Sequence, residues 1–387
     1  MEAIEKLKEN DARDELGLAA IRDGFSNELF PGTGTLQTRA GYFLFVPWIY
    51  RLLHKRKSPS DQVEAAARKE EIKLISALMN SDDTSGVLGK VARERLKRLP
   101  SSVYWAGMRR WGIFQQDLGT EEYHRLFAEF RELDGARDDD GQLVQGRARS
   151  DWHPGLPLPP AGFPGEASFK LRAGDRAYLI ERITLTVGSS LLAWLLRNGT
   201  TLDVEKPWEH PQAKDFPKRV QETLRQAQLF SDAMLGSAYL YNLMLAEELP
   251  ESERRSELLA KYRNWLTQWH DELLASQAAL SAWSLNDFWA FVAPFMRVSP
   301  GTRSFVESWV GLRGWLSPDG GADAKDARQL IRHRERQLKG PRARLGNPRA
   351  LELWGTDSGT GRLVYRWPSA VRILEDLRPE LATNAQS

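Results

Sequence analysis

The sequence contains no cysteine. Disulfides, thiolate metal sites, iron–sulfur clusters and cysteine nucleophiles are therefore excluded. Histidine is scarce, with six in 387 residues, and only His210 and His270 stand beside carboxylates. A metal needs three or four convergent ligands, so these two read as ordinary surface histidines, and neither a metal nor a cofactor is expected. Net charge is nearly absent, at +2 from 54 basic and 52 acidic residues. Any nucleic-acid surface must then be a local patch. Long apolar runs are missing too. The strongest, 42–50 and 183–196, fall short of the roughly 18 residues that span a bilayer. The first residues, MEAIEKLKENDARDEL, carry no apolar core or cleavage site of a secretory signal. A soluble, cytoplasmic protein with no membrane partner is expected.

What is present is a globular composition, 41% apolar and 27% charged, with length enough for two or three domains. The 14 tryptophans are the one compositional excess. The pattern is helical almost throughout. Residues 15–28 have helical apolar spacing. The run from Leu36, apolar on nearly every side, predicts a buried element that Pro47 either kinks or restarts. Ser58-Pro59 predicts a cap and first turn for the next helix. Residues 85–98 read as a basic amphipathic helix, and further helices are expected near 103–111 and after Thr120. The prolines and Asp138 to Gly141 in 134–170 mark a linker or surface loop. Helix returns over 175–198, then over about 218–248, 252–279, 283–316 and 323–338. A break is expected at 317–321. Residues 362–367 alternate like a strand before a last helix. The expected fold is mainly α, with two helical lobes and a small C-terminal α/β element resembling a winged helix. The expected domains are 1–133, 171–320 and 321–387, separated first by the 134–170 linker.

Catalytic motifs fail on their spacing. Pro31-Gly32-Thr33-Gly34-Thr35 lacks the Gly-Lys-Ser/Thr end of a phosphate loop, and Gly86-Val87-Leu88-Gly89-Lys90 lacks the upstream glycine and the hydroxyl. The cluster ending at Gly141 places Ala136 and Arg147 at the first and twelfth positions of a calcium loop, so its carboxylates are absent. Glu71-Ile72-Lys73 and Asp323-Ala324-Lys325 fit half of a metal-dependent nuclease motif, on helices expected to face solvent.

Three features rise above this background. Residues 328–349 hold Arg328, Arg332, Arg334, Arg336, Lys339, Arg342, Arg344 and Arg349 with Glu335 as their only acid. Arginine suits bidentate phosphate recognition. Lys90, Arg93, Arg95, Lys97 and Arg98 precede Tyr104, Trp105, Arg109, Arg110 and Trp111, a mixture that fits either a backbone-tracking groove or a charged helix over an aromatic core. Trp283, Phe288, Trp289, Phe291, Phe295, Phe305, Trp309 and Trp315 read first as core and second as a partner surface.

The motifs also resemble a bacterial family of unknown function over nearly the whole chain. They are Asp14-Glu15-Leu16-Gly17 with Ile21-Arg22-Asp23, then Phe30-Pro31-Gly32-Thr33, Gln37-Thr38-Arg39 and Tyr42-Phe43-Leu44-Phe45-Val46-Pro47-Trp48. Arg98-Leu99-Pro100-Ser101-Ser102 with Tyr104-Trp105, Ser190 to Leu195, Tyr241-Asn242-Leu243-Met244-Leu245-Ala246-Glu247, Leu338-Lys339-Gly340 with Arg342-Ala343-Arg344-Leu345, and Tyr365-Arg366-Trp367 complete the set. Gly34 and Gly41 depart from it, standing where serine and a second arginine are expected. The resemblance supplies no catalytic residues. It implies a setting among helicase and nuclease genes in anti-phage or restriction-like islands.

The leading expectation is a non-catalytic, nucleic-acid-binding accessory protein of such a defence system. Its expected DNA or RNA contacts are Arg332, Arg334, Arg336, Lys339, Arg342, Arg344 and Arg349, with Arg39, Arg109 and Arg110 secondary. Arg39 could instead hold a structural carboxylate such as Asp23. The alternatives are an adaptor that binds a helicase or nuclease through an aromatic-rich apolar surface, and an enzyme with an unrecognised site.

Overall fold

Apolar periodicity, punctuated by proline, glycine and Ser/Asn caps, turns most of this chain into helices. The computed structural model describes residues 14–91, 95–133, 151–312 and 321–383. Arg93, the 138–141 acidic cluster, Trp315 and residues 317–320 of the expected break lie outside them. The chain divides into two compact units, at bounds that differ from the sequence expectation. Unit 1 joins the segment ending at Glu28 to Lys218–Tyr365, and unit 2 joins Leu29–Pro217 to the segment from Arg366. The reason lies in contacts distant in sequence. Arg334 bonds Leu16 and Lys339 pairs with Glu15, while Arg366 bonds Thr33 and Asp376 pairs with Arg39.

The chain enters through α1 (Ala19–Leu29). Unit 2 is built around α2 (Tyr42–Lys55), a single helix that contains Pro47 and is buried along most of its length. Around it come α3 (Val63–Met79), α4 (Pro100–Arg110), α5 (Thr120–Arg125), α6 (Phe127–Leu133), α7 (Ala173–Thr186) and α8 (Leu191–Asn198). Three expectations change here. The third helix starts at Val63, beyond Ser58-Pro59. No α-helix covers the described part of 85–98, where Gly86 and Gly89 both take φ of 78°, a turn conformation that L side chains resist. The 175–198 helix is two helices, because Ser190 caps the second by accepting from the Ala193 amide.

Unit 1 is led by α9 (Lys218–Glu247) and α10 (Glu253–Ala275). Their approach needs Gly236, whose added Cβ would lie 2.3 Å from the Trp269 ring. Trp269 donates to the Asp232 carbonyl at 2.7 Å. Short helices α11 (Gln277–Ser281) and α12 (Leu285–Val292) follow, then α13 (Pro300–Gly311), α14 (Lys325–Lys339) and α15 (Pro348–Leu351). The chain closes in unit 2 with α16 (Trp367–Leu377) and α17 (Glu380–Thr383).

The fold is mainly α, but the described residues include no C-terminal α/β element. Among the described residues the only β pairing is an isolated bridge between Phe114 and Trp152. Residues 362–367 fail as a strand because Tyr365 and Arg366 take φ of 54° and 65°. Arg366 is the left-handed cap of α16, and the Tyr365 hydroxyl donates to the Ala227 carbonyl at 2.6 Å. No described helix is long and apolar enough to cross a membrane.

Candidate nucleic-acid interface

α14 carries six lysines and arginines in its 15 residues, and its 3.6-residue period sorts them. Ala327, Ile331 and Arg334 fall at i, i+4 and i+7, and all three are buried with Glu335. The opposite face exposes Asp326, Gln329, Arg332, His333 and Arg336. With Leu330, these residues form one continuous, open face of the helix.

The inward arginine is committed to the fold. Arg334 Nε donates to the Leu16 carbonyl at 2.8 Å, and Nη2 donates to Thr302 Oγ1 at 2.8 Å. Its guanidinium lies 5.3 Å from the Phe305 ring centre. An arginine so placed makes no phosphate contact, which corrects the expectation for Arg334.

Lys339 and Arg344 are drawn into the same structural work. Glu335 is fully buried. It accepts from Tyr241 Oη at 2.5 Å, from the Arg344 amide at 2.9 Å and from the Leu345 amide at 3.0 Å. Lys339 Nζ lies 3.2 Å from Glu335 and pairs with Glu15, and Arg344 Nη1 lies 2.9 Å from Glu15. Burial alone pushes both carboxyls up. The bonds from Tyr241 and the two amides to Glu335, and from Lys339 and Arg344 to Glu15, outweigh it and hold both below the usual carboxylate range. Lys339 and Arg344 therefore neutralise buried acids, and this network pins residues 14–18 to the end of α14.

Four cations of the tail remain on the surface of unit 1: Arg332, Arg336, Arg342 and Arg349. Arg332 lies 3.5 Å from Glu248 and stays half-exposed. Arg336, Arg342 and Arg349 have no carboxylate within ion-pair distance among the described residues. Asn347 fixes the last of them by capping α15, accepting from the Ala350 amide.

The secondary candidates lie in unit 2. Arg39 is spent on structure: it bonds Asp376 at 2.9 Å and the Ser85 carbonyl at 2.9 Å, pairs with Asp83, and lies 4.2 Å from the Phe169 ring centre. Its partners are these acids, while Asp23 pairs with Arg22. Burial raises the Asp376 carboxyl despite Arg39. Arg109 pairs with Asp117, and Arg110 is exposed. The proposed stacking platforms are not on the surface, since Tyr104, Trp105 and Trp111 are buried. Gly41, which replaces an expected arginine, faces Phe45, and an added Cβ would lie 2.9 Å from that ring.

Other sequence features resolve into packing. Gly32 takes φ of 85° under Trp111, whose Nε1 would lie 2.2 Å from an added Cβ and donates to the Pro31 carbonyl at 2.8 Å. The glycine-rich turn thus serves Trp111. Glu71 is buried, contrary to the solvent-facing expectation. It accepts from the Ser101 amide and hydroxyl, both at 2.8 Å, at the start of α4. Burial, only partly opposed by these bonds, pushes its carboxyl up to about 7. Asp323, the acid of the other nuclease-like triplet, pairs with Arg263 at 3.2 Å.

His210 and His270 are buried too, which corrects their surface placement. His210 satisfies its loop, with Nε2 2.9 Å from the Thr201 carbonyl and Nδ1 accepting from the Gln212 amide. Trp283, Phe288, Trp289, Phe305 and Trp309 are core residues of unit 1. Phe291 and Phe295 are half-buried beneath Arg219. Unit 1 also encloses a cavity of about 60 Å³ whose wall includes Glu15, Arg22, Tyr241 and Met234. Its Glu15 and Tyr241 are already engaged by Lys339 and Arg344. No group of three or more acids and histidines suited to a metal occurs among the described residues.

Sequence reasoning missed Gln329 and His333 as members of the exposed face. The signal was available: continuing the Ala327–Ile331 apolar register turns Arg334 inward and leaves Gln329, Arg332, His333 and Arg336 outside. No curated protein and no solved structure matches the chain. The family model of unknown function named DUF6361 matches residues 2–380, and the chain belongs to that family.

Proposed function

We propose that this protein binds nucleic acid through phosphate contacts made by the outer face of α14 and the segment after it. One observation carries the reading. Within residues 325–349, Arg334, Lys339 and Arg344 are held by internal partners, whereas Arg336, Arg342 and Arg349 are exposed with no carboxylate partner among the described residues. Exposed cations without partners are the groups that can displace counterions from a phosphate backbone. The binding role is that of an accessory protein, and the family resemblance adds a bacterial defence system as its setting. The adaptor alternative loses its main support, because most of the aromatic cluster is spent in the core.

The test is fluorescence anisotropy of the full chain with short DNA and RNA, single-stranded and duplex, across a salt series. Wild type is compared with the triple variant Arg336→Ala, Arg342→Ala and Arg349→Ala. Arg344 is left intact because it neutralises Glu15. Affinity that falls with salt, with a slope shallower by about three in the variant, supports the reading. Absence of binding at low salt discards it.

A further inference from the structure

We infer that α14 is a recognition helix that enters the major groove of duplex DNA and reads about three base pairs. The inference rests on the phosphate-contact reading and adds the form of the nucleic acid and the means of selection. The helix has 15 residues. Gln329, Arg332, His333 and Arg336 lie on one exposed face, and the seven steps from first to last span about 10 Å at 1.5 Å per residue. That length covers about three base pairs at 3.4 Å each. A helix with its side chains is about 10–12 Å across, which matches a major groove about 12 Å wide.

The side chains on this face are those that read base edges. Arg332 can take guanine O6 and N7 and Gln329 can take adenine N6 and N7, while Arg336 keeps its phosphate contact at the end of the same face. Asp326, at the start of the same face, repels phosphate but can accept from the cytosine amine. That acid suits a base-reading face better than one made for backbone contact alone. Arg342 lies just beyond the helix and Arg349 on α15. They are placed to hold the flanking phosphates, which fix register without reading sequence. The inner face is pinned by Arg334 and Glu335, so the outer side chains stand on a rigid support. Duplex RNA is disfavoured because its major groove is too narrow for side chains to read.

The test is selection by the intact protein from a pool of duplex DNA with a randomised centre, followed by anisotropy on the selected duplex. A short enriched motif is expected. Arg332→Ala should lower affinity for the selected duplex about tenfold and relax one position. Arg332→Lys keeps the charge but loses the bidentate fork, so it should relax that position while leaving the salt slope unchanged. Arg349→Ala should weaken all duplexes alike and leave the motif intact. Salt-dependent binding with no enriched motif, or tighter binding to single strands or duplex RNA, overturns the recognition helix and leaves the phosphate reading standing. No binding to any nucleic acid at low salt overturns both.

Discussion

Residues 325–349 of unit 1 and residues 84–111 of unit 2 look alike as strings, each basic and interrupted by apolar residues. Folded, they part company. The first contains one long helix that sorts its cations into an inward set and an outward set. In the second, turns at Gly86 and Gly89 precede α4, the aromatics enter the core, and Arg109 pairs with Asp117. A high count of cations is therefore not a patch. A patch needs a regular element that repeats the cations on one side and internal acids that claim the others.

Each region is anchored by a buried glutamate, and the two anchors behave oppositely. Glu335 meets Lys339, the Tyr241 hydroxyl and two amides, so its charge is stabilised. Glu71 accepts from the Ser101 amide and hydroxyl with Arg68 as its nearby charge, and burial prevails. The largest test of the contrast is Glu335→Ala. It strips the Tyr241 hydroxyl and the Arg344 and Leu345 amides of their acceptor, leaves Lys339 to pair with Glu15, and should cost about 3 to 5 kcal/mol. Chemical denaturation should show the loss in the transition of unit 1.

The next test uses pH. Glu71 titrates near 7 in the fold against its ordinary 4.5. A raised carboxyl favours folding at low pH, and that contribution is lost as pH rises from about 4.5 to 7. Glu71→Gln can still accept from the Ser101 amide through its oxygen, donates its NH2 to the Ser101 hydroxyl in place of accepting from it, and cannot ionise. It should gain on wild type by about 3 kcal/mol between pH 4 and pH 8. Equal stability differences at both pH values would show that Glu71 has an ordinary affinity for protons.

Smaller in stability, but decisive for function, are the surface arginines. Arg336→Ala, Arg342→Ala and Arg349→Ala should each change stability by less than about 0.5 kcal/mol. Each should lower the salt slope of nucleic-acid binding by about one. The smallest effect belongs to Arg109→Ala with Arg110→Ala in unit 2, which should leave affinity within about twofold of wild type. A loss equal to that of the tail variants would erase the distinction between the two regions.

The helices, their approximate order and the apolar identity of α2 could be read from periodicity and caps, because those signals are local. The inward turn of Arg334 was also legible from the register of Ala327 and Ile331. Its partners were not, since the Leu16 and Gly17 carbonyls lie over 300 positions away. The same distance hid the unit boundaries and the pairing of Arg39 with Asp376. Residues 362–367 misled for a related reason: alternation marks a strand only where a neighbour supplies a ladder, and here Tyr365 and Arg366 turn the chain into α16. By itself the sequence determined a helical, cysteine-free protein with a basic segment near its end. Tertiary structure alone decided which partners hold Arg334, Lys339, Arg344 and Arg39, because that depends on which buried acids and carbonyls come within hydrogen-bond reach.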